Sequence, residues 1–232
     1  NKEQRGYITP QEFNLFADHA QMDIFEQYFY DLEQRQRAPG NELDYADMVT
    51  NLEEKISIFE SYLNSISFNS EGEINISIED FYRLGDVNVV YDDSSPKKAE
   101  LIKLSELKKY ENSLLPLLTK LRPVYSRYSS ASSSNVIKIY PTPSSMITSS
   151  DSVTINYIKK PKKPNWTYLI SGSKNALYNP SASDHKDFEL HSSEENNLVL
   201  KILQLAGISI KDLQLTGVAA QQEIKTLQQE KQ

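Results

Sequence analysis

The residues with the most obvious chemical potential are four lysines followed by two aromatic side chains. The run Lys159-Lys160-Pro161-Lys162-Lys163-Pro164 is the densest basic stretch, and Trp166 and Tyr168 come shortly after it. Lysines that track a phosphate backbone, beside rings on which bases stack, are typical of proteins that hold single-stranded nucleic acid. The two prolines cannot donate to a sheet ladder, so they favour a loop or sheet edge. We prefer a solvated or partner-facing edge over nucleic acid.

Sequence motifs typical of catalysis are missing. The chain has no GxSxG, P-loop or GxGxxG motif, and its 7 glycines leave little scope for glycine-rich phosphate cradles. Carboxylates are plentiful, but none lies in a recognisable acid–base constellation. The histidines, His19, His185 and His191, lie far apart and show no metal-ligand spacing. We therefore expect no catalytic residue, no metal and no cofactor, and predict that the protein is not an enzyme.

Composition narrows the class of protein further. The sequence contains no cysteine, which excludes disulfides and thiolate ligands and fits synthesis in a reducing cytoplasm. No apolar run approaches the roughly 20 residues that span a bilayer, and no signal peptide opens the chain. We therefore expect no membrane partner. Because the first residue is Asn1 rather than Met, the natural start is left open.

Charge is segregated along the chain, whose formal net charge is -7. Residues 1–95 carry 6 Lys+Arg and 20 Asp+Glu, residues 96–180 carry 14 and 4, and residues 181–232 carry 5 and 8. This asymmetry suggests that unlike regions meet, within one subunit or between neighbours. Chance distribution over solvated faces is the equally weighted alternative. The acidic total argues against duplex DNA as the main partner.

A well-marked helix begins near the N-terminus. Thr9, Pro10 and Glu12 form a capping box with proline at the first helical position. Apolar residues then recur at intervals of three and four, as on an amphipathic helix. They are Phe13, Phe16, Ala17, Ala20, Ile24, Tyr28, Phe29 and Leu32. The opposite face carries acids: Asp18, Asp23, Glu26 and Asp31.

A second helix is predicted after a turn at Arg37–Asn41. Apolar residues repeat at helical spacing from Tyr45 to Ile66, so we expect this helix to extend to about Ser67. A short turn between two helices predicts an antiparallel helical hairpin over residues 1–67.

Residues 68–190 are predicted to form a β-rich domain. A turn at Asn69–Gly72 is followed by short segments of period two, and Ser105 caps a short helix through Tyr110. The predicted strands are Glu73–Ile78, Asp86–Tyr91, Ala99–Leu104, Val124–Tyr128, Val136–Tyr140, Val153–Ile158 and Trp166–Ile170, the last closing the sheet. We expect an antiparallel, sandwich-like sheet. The serine-rich segment Ser126–Ser134 is predicted to be an exposed, flexible hairpin loop.

Residues 191–232 are predicted to be helical, which makes the fold class α+β. Ser192 and Glu195 suggest a second capping box, and Gly207 a helix stop. The apolar face of this helix is Leu198, Val199, Ile202, Leu203 and Leu205. A final helix from about Asp212 to Glu230 carries a thin stripe of Leu213, Val218, Ala220, Ile224 and Leu227. Its glutamine-rich end has little to bury, so we expect a partner to order it.

Four strings carry a resemblance to a known group of proteins. They are NKEQRGYITPQEFNLFADHAQMDIFEQYFYDL, KIYPTP, VTINYIKKPKKPNWTYL and DFELHSSEENNLVLKILQLAGI. In this order they resemble the head-to-tail connector proteins, ring or tubular adaptors, of crAss-like and related short-tailed phages. The resemblance covers most of the chain, except Ser126–Asn135 and the glutamine-rich end. It implies a structural virion protein in a ring, commonly twelve-fold, beneath the portal.

The resemblance implies a role and an assembly mode, and no catalytic residues. The implied partners are the portal, neighbouring tail and ring proteins, other copies of the chain, and packaged DNA that passes without sequence-specific binding. The implied location is the virion, with assembly in the host cytoplasm. Another tail ring or hub, or a host-attachment module, is the alternative.

A ring requires two different complementary surfaces on each subunit. The acidic N-terminal part and the basic middle are candidates for them, although acids facing the lumen, where they would repel DNA, are an equally open placement. The candidate interface residues are Lys159, Lys160, Lys162, Lys163, Trp166, Tyr168, Ile224 and Leu227.

Overall fold

The computed structural model describes residues 8–37, 42–66, 69, 71–76, 80–91, 95–111, 118–129, 135–141, 152–170, 176–210 and 213–230. The helices are α1 (Pro10–Arg37), α2 (Glu42–Ser57), α3 (Leu104–Glu111), α4 (Glu195–Ile210) and α5 (Leu213–Glu230). The strands are β1 (Glu60–Ile66), β2 (Glu73–Asn75), β3 (Phe81–Val90), β4 (Lys97–Lys98), β5 (Glu100–Leu101), β6 (Val124–Tyr128), β7 (Val136–Tyr140), β8 (Ser152–Lys159), β9 (Tyr168–Ile170) and β10 (Ala176–Tyr178). The predicted α+β class is confirmed. Among these helices, none is long and apolar enough to cross a membrane.

Packing divides the chain into two compact units. Unit 1 consists of Asn1–Ile58 and Pro161–Gln232, and unit 2 is the intervening Phe59–Lys160. The predicted segments 1–67, 68–190 and 191–232 follow local element type, and their limits differ from those of the units. The reason lies in residues 161–190, which hydrogen-bond to α1 through Asn14 and Gln21 and so belong with the helical unit.

Helix α1 starts as its sequence predicts. The Glu12 N–H donates to Thr9 Oγ1 (3.3 Å), and the Thr9 N–H donates to the Glu12 carboxylate (2.9 Å), which completes a capping box. The apolar stripe faces the interior, with Ala20, Ile24 and Tyr28 buried. Helix α1 packs against α2 and α4. The antiparallel direction of the α1–α2 pair remains a prediction, and the connecting residues 38–41 lie outside the described part.

The start and end of α4 differ from the prediction. The predicted Ser192–Glu195 capping box is wrong, because the Ser193 N–H donates to His191 Nδ1 (3.2 Å) and Ser192–Glu194 form a 3₁₀ turn. The N-cap of this turn is therefore His191, one residue before the predicted Ser192. Gly207 does not stop the helix. It is buried inside α4, where packing offsets its low helix propensity.

Helices α4 and α5 pack together, joined by an ion pair between Lys201 Nζ and Glu223 Oε1 (3.1 Å). Ala219 is buried, whereas Val218 and Ile224 are exposed, so these two members of the predicted stripe of α5 do not face the interior. The side chains of Leu213 and Leu227 lie outside the described part.

The described strands of unit 2 form two four-stranded sheets. Their strand orders are β1-β8-β3-β4 and β2-β7-β6-β5, and every pair is antiparallel except β5–β6. Both sheets contribute to one buried cluster, in which Ile74 and Ile137 come from one sheet and Val89, Val153 and Ile155 from the other. The sandwich-like arrangement of the sheets remains a prediction.

The strand prediction holds for β6 and β7, whose bounds are as predicted, and for β3 and β8, which are longer. The predicted extension of the second helix to Ser67 is wrong. Helix α2 ends at Ser57, and Glu60–Ile66 pair with β8, where Leu63 lies opposite Ile155. Phe59, Leu63 and Ile66 are spaced as a helical stripe, but the pairing of this stretch with β8 makes it a strand.

Three further segments of unit 2 test the sequence analysis. The turn before β2 is confirmed: Asn69 Oδ1 accepts from the Glu73 N–H (2.8 Å), and Gly72 has a φ of 75°. The strand predicted at Ala99–Leu104 is shorter, since α3 begins at Leu104. Ser126 is buried within β6, so the flexible loop cannot start there, and residues 130–134 lie outside the described part.

Glu73 joins three strands of unit 2 through its carboxylate. Tyr128 Oη donates to Glu73 Oε1 (2.5 Å), and Lys138 Nζ lies 3.4 Å from the same oxygen. The Tyr128 hydrogen bond, with the Lys138 charge, holds the pKa of Glu73 below its usual 4.5. Burial, together with the Glu73 carboxylate, raises the pKa of Tyr128 to about 12.

A pH-dependent contribution to stability follows from this arrangement. Because the folded pKa of Glu73 is lowered, its contribution is complete above the unfolded pKa and is lost as the pH falls through the folded pKa. We expect Glu73→Gln to be less stable than wild type at pH 7 and the difference to shrink below pH 4.5. Urea unfolding midpoints at pH 7 and pH 3 measure this. Glu71→Gln, with an exposed side chain, is the control. A difference that does not change with pH would exclude the carboxylate as its cause.

Candidate partner-binding surfaces

The aromatic segment after the lysine run is held on α1 by a single asparagine. Asn14 Nδ2 donates to Asn165 Oδ1 (3.0 Å) and to the Trp166 carbonyl (3.2 Å), while Asn14 Oδ1 accepts from the Trp166 N–H (2.8 Å). Asn14 therefore satisfies both backbone polar groups of Trp166, as a strand neighbour would.

A second clamp lies two turns further along α1. Gln21 is 0% exposed, and its Nε2 donates to the Lys162 carbonyl (2.8 Å) while its Oε1 accepts from the Glu189 N–H (3.0 Å). Glu189 Oε2 in turn accepts from the Lys162 N–H (3.0 Å). One buried amide thus fixes both ends of residues 162–189 to the helix.

The four predicted lysines are placed in two pairs. Lys159 ends β8 and Lys160 donates its N–H to the Asp80 carbonyl (2.6 Å), so both belong to unit 2. Lys162 and Lys163 belong to unit 1, where their ammonium groups lie 3.9 Å from Glu189 and 3.5 Å from Asp18. Two of the four charges thus have carboxylate partners, which weakens the nucleic-acid interpretation.

The aromatic side chains form a cluster of their own within unit 1. The half-buried Trp166 ring stacks with Tyr168 (centroids 5.9 Å apart, 20°) and with Tyr178 (5.9 Å, 10°), and meets Phe13 edge-on at 6.3 Å. His185 Nε2 lies 3.3 Å from Tyr178 Oη. Since the stacking partners of Trp166 are side chains of this unit, the cluster positions the chain rather than offering a platform for bases.

The strand predicted at Trp166–Ile170 does not close a larger sheet, so that prediction is wrong. Among the described strands, β9 pairs with β10 alone, with Tyr168 opposite Tyr178 and Leu169 opposite Leu177. The reason is its partner strand β10, which was not predicted from the sequence. The signal was present, because the segment 171–175, which contains glycine, separates two short apolar runs as hairpin loops do.

The β9–β10 hairpin is unusual in what it exposes. Leu169, Ile170, Leu177 and Tyr178 are 61%, 71%, 56% and 51% exposed. Because neighbouring residues of a strand point to opposite faces, both faces of the hairpin carry exposed apolar side chains. A two-stranded sheet is only marginally stable alone, and apolar surface of this kind marks interaction sites.

A second exposed apolar surface lies on the C-terminal helices. Ile224, predicted as an interface residue, is 55% exposed, and Val218 on the same helix is 65% exposed. On α4, Val199, Leu203 and Ile208 are also exposed. Val199 and Leu203 were predicted to share one apolar face with Leu198, but Leu198 is buried whereas they are exposed. Their spacing of four places them side by side on the solvent face of α4.

The described residues provide no constellation for catalysis. Within them, no group of three or more His, Cys, Asp or Glu side chains could hold a metal ion. An open groove of about 450 Å³ beside α1 is lined by Asn14, Asp18, Lys163 and Asp184, among others, with no nucleophile beside a base. The arrangement is suited to binding a partner. Among known proteins, no family model matches the chain and no curated sequence matches it.

Proposed function

We propose that the protein is a structural virion component, a ring-forming adaptor of a phage head-to-tail connector beneath the portal, forming part of the DNA conduit. The observation that carries the proposal is the β9–β10 hairpin, whose two faces both expose apolar side chains and so require a partner to cover them. The resemblance of the four sequence strings supplies the phage connector as the setting. The exposed apolar surface of α4 and α5 supports a subunit with more than one neighbour.

The hairpin is suited to docking because it is well supported at its base. Thr167 Oγ1 donates to the Asn179 carbonyl, and the Asn179 N–H donates to the Thr167 carbonyl (2.9 Å). Trp166 and Asn14 fix the same base to α1. A rigid base with exposed apolar strands presents its side chains at a small entropic cost on binding.

Electron microscopy of the protein co-expressed with its candidate portal tests the proposal, with the protein alone as control. We expect coaxial rings on the portal. Leu169→Ser combined with Leu177→Ser should abolish them, whereas Tyr62→Ser, at a position 64% exposed in unit 2, should leave them intact. A portal left bare by the wild-type protein would contradict the adaptor role and would favour another tail ring or a host-attachment module.

Reversal of Lys159, Lys160, Lys162 and Lys163 to Glu should weaken ring formation more than it weakens the fold. The side chains of Lys162 and Lys163 are 53% and 77% exposed, so their ion pairs stabilise unit 1 by only about 0–1 kcal/mol. Thermal unfolding and ring counts on micrographs separate the two effects, with Lys225→Glu as the control. If the variant formed as many rings as the wild type, the four lysines would not be part of the subunit interface.

A further inference from the structure

Unit 2 carries a surface in which exposed leucines alternate with exposed bases. Leu101, Leu104 and Leu121 are 64%, 55% and 76% exposed. Their neighbours Lys103, Lys108 and Arg122 are exposed as well. We call these six residues the basic leucine patch. Exposed leucines at this density mark interaction surfaces rather than ordinary solvated faces.

Hydrogen bonds and a helix order the backbone that carries the patch. The Glu100 N–H donates to the Pro123 carbonyl (3.1 Å), so Leu101 and Arg122 lie on adjacent segments. Leu121 occupies the tip of a tight turn in which the Arg122 N–H donates to the Thr119 carbonyl (3.0 Å). Leu104 and Lys108 lie one turn apart on α3. The patch is therefore built on ordered backbone.

An open groove of about 390 Å³ adjoins the patch. Leu101 and Tyr125 line its apolar part, and Asp86, Lys98 and Glu100 line its polar part, where Lys98 Nζ lies 2.8 Å from Asp86 Oδ1. Its volume exceeds the space that one tyrosine side chain needs. The exposed acids of this region, Asp86, Glu100 and Glu106, are outnumbered by its exposed bases, which are Lys98, Lys103, Lys108, Lys109 and Arg122, so the surface retains a positive charge.

Helix α1 of unit 1 carries a surface of the opposite character. Asp23, Glu26 and Glu33 are exposed, and Tyr30 among them is 65% exposed. At about 100° per residue these four positions share roughly 80° of the helix circumference. That face lies opposite the one on which Ile24 and Tyr28 are buried. It is an acidic stripe with an exposed aromatic residue at its centre.

We propose that the basic leucine patch binds the acidic face of α1 of a second copy of this chain, with Tyr30 entering the groove beside Leu101. Charge complementarity selects the occupant, because bases around leucines on one surface match acids around a tyrosine on the other. Tyrosine and arginine are the residues most often found at the energetic centre of an interface.

The two surfaces differ, so the contact is heterologous and repeats from copy to copy. The inference rests on the proposed ring and names one of its contacts. It also accounts for the segregated charge of the sequence, since residues 1–95 supply the acids and residues 96–180 the bases.

Because the chain contains no cysteine, any cross-link between introduced cysteines can be assigned to the two chosen positions. Glu26→Cys and Leu121→Cys variants are mixed, alone and with the portal, and treated with a short bis-maleimide. We expect a cross-linked dimer in the mixture and none from either variant alone. Glu26→Cys mixed with Asn64→Cys, exposed elsewhere in unit 2, is the negative control.

Charge reversal supplies the second measurement. Asp23→Lys and Arg122→Glu, each introduced into both cysteine variants, should each lower the cross-link yield about fivefold, and both together should restore it to within about twofold, since every copy carries both surfaces. Absence of the cross-link, or a double variant no better than either single one, overturns the contact. Loss of DNA retention in Arg122→Glu, with unchanged cross-linking, reassigns the patch to nucleic acid. If rings form on the portal without the Glu26–Leu121 cross-link, the adaptor role is supported and this contact is excluded. If the copies cross-link but never join a portal, the contact is supported and the adaptor role is contradicted.

Discussion

Replacement of Lys55 by Met is expected to lower the free energy of unfolding by about 3–5 kcal/mol. Lys55 Nζ lies 2.5 Å from Glu194 Oε1, and the two side chains are only 19% and 4% exposed. Removing the ammonium leaves a buried carboxylate with only Asn197 Nδ2 (2.8 Å) as a donor in the described part of unit 1. Loss of the contact between Lys55 and the Tyr28 ring, 5.8 Å from its centroid, adds to the effect.

The double variant Lys55→Met, Glu194→Leu separates the net contribution of the ion pair from the cost of leaving one buried charge without its partner. We expect it to recover most of the lost stability, because an apolar pair of similar volume avoids the desolvation of two charges. Urea unfolding of the wild type, both single variants and the double variant gives the coupling energy. Lys201→Met, which removes a second partly buried ion pair of unit 1, provides a comparison within the same unit. A loss below about 1 kcal/mol for Lys55→Met would mean that Glu194 is solvated, as surface ion pairs are.

Replacement of Gln21 by Leu is the second substitution with a large expected effect, a loss of about 2–5 kcal/mol. Leucine fills most of the volume but leaves the Lys162 carbonyl and the Glu189 N–H without the amide that satisfies them. Each such buried polar group costs about 1–3 kcal/mol. Gln11→Leu, exposed on the first turn of the same helix, is the matched control and should change stability by less than about 0.5 kcal/mol.

Hydrogen exchange identifies where the effect of Gln21→Leu is located. Amides of residues 162–170 and 176–189 should lose protection first, because Gln21 joins both ends of that stretch to α1. Protection of β3 and β8 in unit 2 should be unchanged. Equal loss of protection across both units would show that Gln21 supports global stability rather than this segment.

The elements with a strong local signal were the ones best predicted from the sequence. The Thr9–Glu12 capping box, the α1 stripe and strands β6 and β7 depend on residues within a few positions of one another. In these cases, local propensity and tertiary packing favour the same structure. The apolar residues of the segment Glu60–Ile66 have helical spacing and show no alternation, and only its pairing with β8, far along the chain, makes it a strand.

The candidate surfaces were less predictable for the same reason. The lysine run was visible in the sequence, but its division between two units and the Asp18 partner of Lys163 depend on tertiary structure. Asn14 and Gln21 were missed because a polar residue on a helix gives no local sign of the backbone it will bind. The exposure of Leu169 and Leu177 likewise appears only once β10 is paired.

The discontinuity of unit 1 has a consequence during synthesis on the ribosome. The partners of Gln21 follow it by 141 and 168 positions. At about 5–20 residues per second, α1 leaves the ribosome roughly 7–30 s before those partners are made. During that interval unit 2 is translated in full, while α1 can pack against α2 but still lacks α4 and residues 162–189. The nascent chain is therefore most prone to aggregation in its middle stage, when its first helix already exists and the residues that enclose it do not.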